Sequence, residues 1–205
     1  MFQEVIAKKA KDVLALLGKQ EFIKDFYLAG GTGLAMQFGH RISVDLDFFS
    51  AKQFNPKKLL NQLSRLGDFV LEKEDWGTVN GKLNGVKISF IFYQHKLLQP
   101  AQKEIGVKIA SPIDIALMKI TATGSRGSKK DFIDLYFICQ KLIPLKELFA
   151  LLPKKFKEFK YEPYHLIMGL TYFKDAEKEP MPKMLILAKW REVKNYFQKE
   201  VKKLV

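Results

Sequence analysis

Two short motifs on consecutive stretches of the chain have the residue types and spacing for phosphate chemistry. The first is Gly30-Gly31-Thr32-Gly33, preceded by Tyr27-Leu28-Ala29 and followed by Leu34, Ala35, Met36 and Phe38. A glycine-rich turn that opens a helix offers backbone N–H groups with little steric obstruction, and a helix N-terminus favours negative charge. Such a turn suits the phosphates of a nucleotide. The second motif is Asp45-Leu46-Asp47, thirteen residues after Thr32. On a strand the side-chain period is two, so the spacing predicts both carboxylates on one face, where a pair can hold Mg²⁺ for phosphoryl or nucleotidyl transfer. Their neighbours Ile42, Val44, Leu46, Phe48 and Phe49 are apolar. Two like charges in that setting repel unless a cation joins them. Either motif alone also reads as a plain turn or as two solvated acids; together they point to a metal-loaded phosphate site.

These motifs need a frame. Phe2, Val5, Ile6, Val13, Leu14 and Leu17 recur at helical spacing and predict a helix over 2–17, stopped by Gly18. A short strand at 27–29 runs into the glycine turn, a helical turn or two follows at 34–38, and a strand spans 44–49. Pro56 opens a helix carrying Leu59, Leu60, Leu63 and Leu66. Strands follow at 69–74, 78–83 and 86–93, with Asn80-Gly81 and Asn84-Gly85 read as turn signals. From Ser111-Pro112-Ile113-Asp114 the pattern becomes helical, with helices around 132–138, 144–152, 164–172 and 189–205 and a loop over 175–183. The fold class is therefore α+β: a small mixed or antiparallel sheet with flanking helices, expected over residues 1–110, then a helical C-terminal subdomain over 111–205.

Composition narrows the function classes. The chain has 205 residues, 47% of them hydrophobic, with seventeen Phe, enough apolar surface to offset the entropy of ordering. One Cys excludes a disulfide framework and a cysteine-built zinc site. No apolar run approaches the roughly 18–20 residues of a membrane span, and Lys8, Lys9, Lys11 and Asp12 break up the N-terminal stretch, so a soluble protein of the reducing cytoplasm, with no membrane partner, is expected. The net charge is +13, and residues 151–205 hold 13 Lys/Arg against 7 Asp/Glu. Such a field attracts polyanions, which makes nucleic acid the leading large partner, beside the alternative of a solvated lysine-rich surface.

The glycine turn followed by Asp45-Leu46-Asp47 resembles the signature of DNA polymerase β-like nucleotidyltransferases. The fuller set resembles the AbiEii-type nucleotidyltransferase family, which includes toxins of toxin–antitoxin systems: His40-Arg41-x-Ser43-x-Asp45-Leu46-Asp47-Phe48-Phe49, then Met118-Lys119, Arg126, and Lys130-Asp131-Phe132-x-Asp134-Leu135-Tyr136. By motif the resemblance spans residues 25–140. It implies an NTP substrate, two Mg²⁺ ions as cofactor, pyrophosphate release, an RNA acceptor such as the 3′ end of tRNA, and an antitoxin partner. It further implies that Gly30, Gly31 and Thr32 cradle the triphosphate, with Arg41 and Ser43 beside them, and that Asp45 and Asp47 hold the metal. Lys119, Arg126 and Lys130 would contact nucleotide phosphate, with Lys129 adding charge nearby, and Asp131 or Asp134 would match the late acidic motif of the family.

One departure stands out. Polymerase β-like transferases place a third carboxylate on a later strand, whereas Val86–Tyr93 contains no acid and has Ser89 or Lys87 at that place. Serine is not a general base near neutral pH. Either Asp131 or Asp134 supplies the missing group, or catalysis is slow, or the fold only binds nucleotide or RNA as a regulator. An Asp-x-Asp phosphatase leaves the glycine turn unexplained. His40 reads equally as a phosphate contact or a solvated loop residue; His95 and His165 read as structural, Cys139 as a buried thiol, and Trp76 and Trp190 as core. Lys154, Lys155, Lys157 and Lys160, interleaved with Phe156, Phe159 and Tyr161, read as an RNA-binding face or a snorkelling helix.

Overall fold

The computed structural model describes residues 1–124, 127–157 and 163–204. They form two compact units, Met1–Ser111 and Pro112–Val205.

The first unit is built on a mixed sheet, seven-stranded among the described residues. Its strands are β1 (Tyr27–Leu28), β2 (Leu46–Ser50), β3 (Phe69–Asp75), β4 (Thr78–Leu83), β5 (Val86–Phe92), β6 (Gln102–Glu104) and β7 (Val107–Ile109), in the order β3-β4-β5-β2-β1-β7-β6. The pairs β2/β5 and β1/β7 are parallel and the other neighbours antiparallel. Alternation decides the faces. Leu46, Phe48, Ile88, Phe90, Val79 and Leu83 are buried in one core with residues of α1 (Lys8–Gly18) and α3 (Pro56–Ser64), whereas Asp47 and Asn80, at the alternate positions, are only partly buried. In α1, Ala10, Val13, Leu14 and Leu17 form the buried stripe and Lys8 and Lys9 stay exposed. Asn55 caps α3 by accepting the Lys58 N–H at 3.1 Å, with Pro56 at the first helical position.

Several expectations are revised. The helix predicted over 2–17 is broken: Gln3–Val5 form a single 3-10 turn, and Ile6 is extended and bridges to Ser43. Val5 and Ile6 are both buried, and Ile6 is held by its bridge to Ser43 and not on a helix face. The strand expected from Val44 begins at Leu46; Val44 is 55% exposed and Asp45 precedes the ladder. Asn80-Gly81 lies inside β4 rather than at a turn. The bare Gly81 leaves room for the Phe69 ring, 2.8 Å from where a Cβ would stand. The actual turns are Trp76-Gly77 and Asn84-Gly85, the latter with both residues at positive φ. The β6–β7 hairpin was not foreseen. It turns on Ile105 and Gly106, at φ 48 and 76, and Gly106 meets Gly18 at the end of α1 backbone to backbone. A Cβ on Gly106 would lie 2.7 Å from the Gly18 carbonyl oxygen, and one on Gly18 would overlap the Ile105 carbonyl.

The second unit holds α4 (Pro112–Thr123), α5 (Lys129–Lys141), α6 (Leu145–Lys155), α7 (Pro163–Gly169), α8 (Lys174–Lys178) and α9 (Trp190–Val201). Phe132 packs against Phe173, Trp190 and Phe197 with ring centroids 5.1, 5.9 and 5.7 Å away. The loop expected over 175–183 contains most of α8, which is pinned by buried Ala176 and by Glu177, the acceptor of the Trp190 indole N–H at 3.0 Å. Trp76, expected in the core, is 74% exposed. Lys155 and Phe156 are buried, so the helix face expected to bind RNA is partly interior; Phe159, Lys160 and Tyr161 lie outside the described residues. No helix among the described residues is long and apolar enough to cross a membrane.

Candidate active site

The glycine motif is not a turn ahead of a helix but the first turn of α2 (Gly30–Phe38) itself. Gly30 has φ 60, a left-handed conformation natural to glycine. The helical ladder begins with Gly33 N–H donating to the Ala29 carbonyl at 3.0 Å, so the amides of Gly30, Gly31 and Thr32 have no acceptor within the helix. Residue 30 must also be small for a second reason: a Cβ there would stand 2.8 Å from Asp47 Oδ2. The Asp47 carboxylate therefore lies directly against the bare backbone of the turn.

Asp45 reaches the same place by another route. Because it precedes β2, strand alternation does not align it with Asp47; its main chain is held instead by Thr32, whose hydroxyl donates to the Asp45 carbonyl at 2.5 Å. Thr32 Oγ1 is also 2.9 Å from Ser43 Oγ. A hydroxyl has one hydrogen and the Asp45 carbonyl only accepts, so Ser43 donates to Thr32. Ser43 is in turn fixed by its N–H, which donates to the Val5 carbonyl at 3.0 Å. Arg41 is buried; its guanidinium donates to the Ile42 carbonyl at 3.1 Å and lies over Gly31, in space that a side chain there would fill. Gly30, Gly31, Thr32, Arg41, Ser43, Asp45 and Asp47 are thus brought together. His40, weighed as a solvated loop residue, is fully buried instead.

The sheet register locates the position of the absent third acid. Asp47 on β2 pairs with Ser89 on β5, and Ser89 pairs with Asn80 on β4, so the three share one face. Ser89, not the exposed Lys87, is the direct neighbour of Asp47. Asn80 Oδ1 is buried without a hydrogen-bond partner among the described residues. Its place in this row was missed because Asn-Gly reads as a turn; the buried positions Val79, Gly81 and Leu83 around it carry the strand signal. The Asp47 carboxylate beside a neutral hydroxyl, with Asp45 two residues away, fits Mg²⁺, which is held by one or two carboxylates plus substrate phosphates and water. Among the described residues no three His, Cys, Asp or Glu side chains form a group that could hold a metal ion.

The remaining candidates belong to the second unit. Lys119 on α4 pairs with Asp131 Oδ1 at 2.8 Å and Asp134 Oδ2 at 2.7 Å on α5, all three being buried. Asp131 and Asp134 thus converge on one ammonium, a cluster with a formal charge of −1. Lys130 is exposed, and buried Lys129 donates from its backbone N–H to Glu179 at 2.9 Å. Arg126 lies outside the described residues. A second buried pair joins Lys155 to Asp114 at 2.7 Å, and burial holds the Lys155 ammonium below the usual lysine range although Asp114 opposes that shift. Cys139 is half-buried, and burial pushes its thiol up to about 12. His165 Nε2 is 3.0 Å from the Gly124 carbonyl, a structural contact.

Comparison with known proteins shows the family and the fold. The chain is 36% identical over 202 residues to an uncharacterized protein of Aquifex aeolicus, with 96% of each chain covered. Its fold is similar to that of the Helicobacter pylori protein JHP933, at TM-score 0.54 and 19% identity over 97% of this chain and 94% of that one. It is also similar to MenT4, a nucleotidyltransferase toxin of Mycobacterium tuberculosis, at TM-score 0.57 and 14% identity over 95% and 82%. Residues 12–203 match the family described as nucleotidyl transferase AbiEii toxin, type IV toxin–antitoxin system. The glycine turn, the Asp-x-Asp pair and the match across nearly the whole chain lead to one conclusion: this protein belongs to the AbiEii family and is a nucleotidyltransferase of mixed α+β fold.

Proposed function

We propose that the protein moves a nucleoside monophosphate from an NTP to a hydroxyl on RNA, with the 3′ end of tRNA as the first acceptor to test, and acts as the toxin partner of an antitoxin in the cytoplasm. The observation that carries the reading is the contact of the Asp47 carboxylate with Gly30 in the opening turn of α2. It brings an acid able to bind metal next to a row of amides that have no acceptor within the helix.

In the reaction the acceptor oxygen bonds to the α-phosphorus while the bond from that phosphorus to the bridging oxygen breaks, and pyrophosphate leaves. The Gly30, Gly31 and Thr32 amides donate to phosphate oxygens, and Arg41 and Ser43 hold that turn in shape. Asp45 and Asp47 would hold Mg²⁺, which when bound neutralises charge on the phosphates. Lys119, Lys130 and Arg126 are assigned to phosphate contact, and Asp131 or Asp134 to accepting the proton of the acceptor hydroxyl, as the family motif supports. With Ser89 beside Asp47 in place of a third acid, the proton acceptor is in this reading drawn from the late Asp pair and not from the strand. The net charge of +13 supports a polyanionic acceptor.

The test incubates the protein with each labelled NTP, Mg²⁺ and total RNA. Label is expected in RNA, and the double variant Asp45→Ala/Asp47→Ala should lower it by about 100-fold or more, the scale of losing a metal that supplies several kcal/mol. Equal incorporation by the double variant refutes the assignment.

A further inference from the structure

The far end of the same sheet carries a second feature that nucleotidyl transfer does not use. Trp76 sits at the two-residue turn between β3 and β4 and is 74% exposed, an unusual place for the largest apolar side chain. Its orientation is set. The Trp76 backbone N–H donates to Asp75 Oδ1 at 2.8 Å, and Gly77, at φ 70, carries the turn. The indole meets the Phe92 ring at 5.5 Å and 84°, an edge contact. Beside it opens a groove of about 530 Å³ between the hairpin and the start of α3, bordered by Phe54, Lys57, Gln53 and Glu74. That size falls within the range of small-ligand sites.

The groove lies apart from Asp47. Phe92 pairs with Ser50, on the opposite side of β2 from Asp47 by alternation, and stands three residues beyond Ser89, about 10 Å along the strand. Its chemistry is that of one nucleotide. An exposed indole offers a stacking face, worth about 1–3 kcal/mol per base. Glu74 accepts hydrogen bonds from exocyclic amino groups such as cytosine N4, and the Gln53 amide both donates and accepts. A phosphate finds the exposed Lys57 ammonium and the Lys57 backbone N–H, which lacks a helical acceptor because it lies in the first turn of α3. A protein partner would instead call for a broader apolar surface; of the three aromatics that line the groove, Phe54, Trp76 and Phe92, only Trp76 is largely exposed, and it stands among Gln53, Asn55, Lys57 and Glu74.

We propose that the Trp76 groove binds a single-stranded segment of the RNA acceptor, stacking one base on the indole and holding its phosphate at Lys57. The inference rests on the reading above only in taking RNA as the acceptor.

The test is a binding measurement, independent of transfer. In a Trp190→Phe background, Trp76 is the single tryptophan, and its fluorescence is followed while an unstructured RNA of about a dozen nucleotides is added. Quenching by RNA is expected, with free NTP giving little at the same nucleotide concentration. Trp76→Ala should weaken binding of the labelled RNA about 5- to 150-fold, as loss of one stacked base predicts, and Trp76→Phe should recover much of it. Lys57→Gln should weaken binding and flatten its salt dependence by about one phosphate contact. The proposal is overturned if Trp76→Ala binds RNA as well as the parent, or if free NTP quenches as strongly as RNA. A protein that binds RNA through Trp76 yet transfers no label refutes the transfer assignment and leaves this one standing.

Discussion

Gly30 does two jobs that a side chain would break. It supplies a left-handed backbone, and it gives the Asp47 carboxylate space against the opening turn of α2. Gly30→Ala is therefore expected to cost about 1–2 kcal/mol for the backbone alone and to push the acid out of place, lowering transfer tenfold or more. The control is Gly85→Ala. Gly85 has φ 78 but nothing within 4 Å of its missing Cβ, so the substitution pays the same backbone cost and leaves transfer intact. Melting temperature and label incorporation, measured on both variants, separate strain from displacement. Equal activity in the two would show that contact with Asp47 is not what fixes residue 30. These residues were legible in the sequence because their chemistry is local: glycines at a helix start and acids two apart. What was not legible was how Asp45 is placed, since the Thr32–Asp45 link and the Val5–Ser43 tie behind it join stretches that no spacing rule connects.

At the scale of elements, the helices of the second unit are joined by ion pairs without solvent. Lys155 on α6 and Asp114 on α4 both have fully buried side chains. Removing one member takes this partner from a buried charge, so Asp114→Ala is expected to destabilise by about 3–5 kcal/mol in chemical denaturation, whereas Asp114→Leu/Lys155→Met should cost far less. The pair also leaves a mark on the pH dependence. The native Lys155 pKa lies below 10.5, so between the two values the unfolded chain binds more protons, and stability rises with pH across that window. Lys155→Met should flatten this alkaline rise; an unchanged curve would show that Lys155 does not cause it. Sequence pattern found most helices and the β3–β5 meander, since amphipathic stripes and the Asn84-Gly85 turn are strong local signals. It missed the β6–β7 hairpin because Gln102-Lys103-Glu104 is too polar to read as a strand and Ile105-Gly106 is not a familiar turn pair. It misplaced Asn80-Gly81, where the close approach of the Val70 carbonyl and the Phe69 ring rather than a chain reversal calls for glycine. Trp76 was misread because a large aromatic is most often interior, and exposure is decided by where a hairpin tip falls.

At the scale of the molecule, charge is shared by both units: residues 1–111 carry 16 Lys/Arg against 11 Asp/Glu, and residues 112–205 carry 19 against 11. RNA binding is therefore expected to depend steeply on salt, weakening tenfold or more between about 50 and about 200 mM. A flat response would mean that the basic surface does not contact phosphate. Position along the chain matters as well as charge. Gly18 and Gly106 touch through their main chains, 88 positions apart, and neither tolerates a Cβ while the other stays where it is. The two sites should therefore drift together in descendants of this gene. A reader comparing many such sequences would find their joint invariance, or their joint loss, and could infer from letters alone that α1 ends against the β6–β7 hairpin.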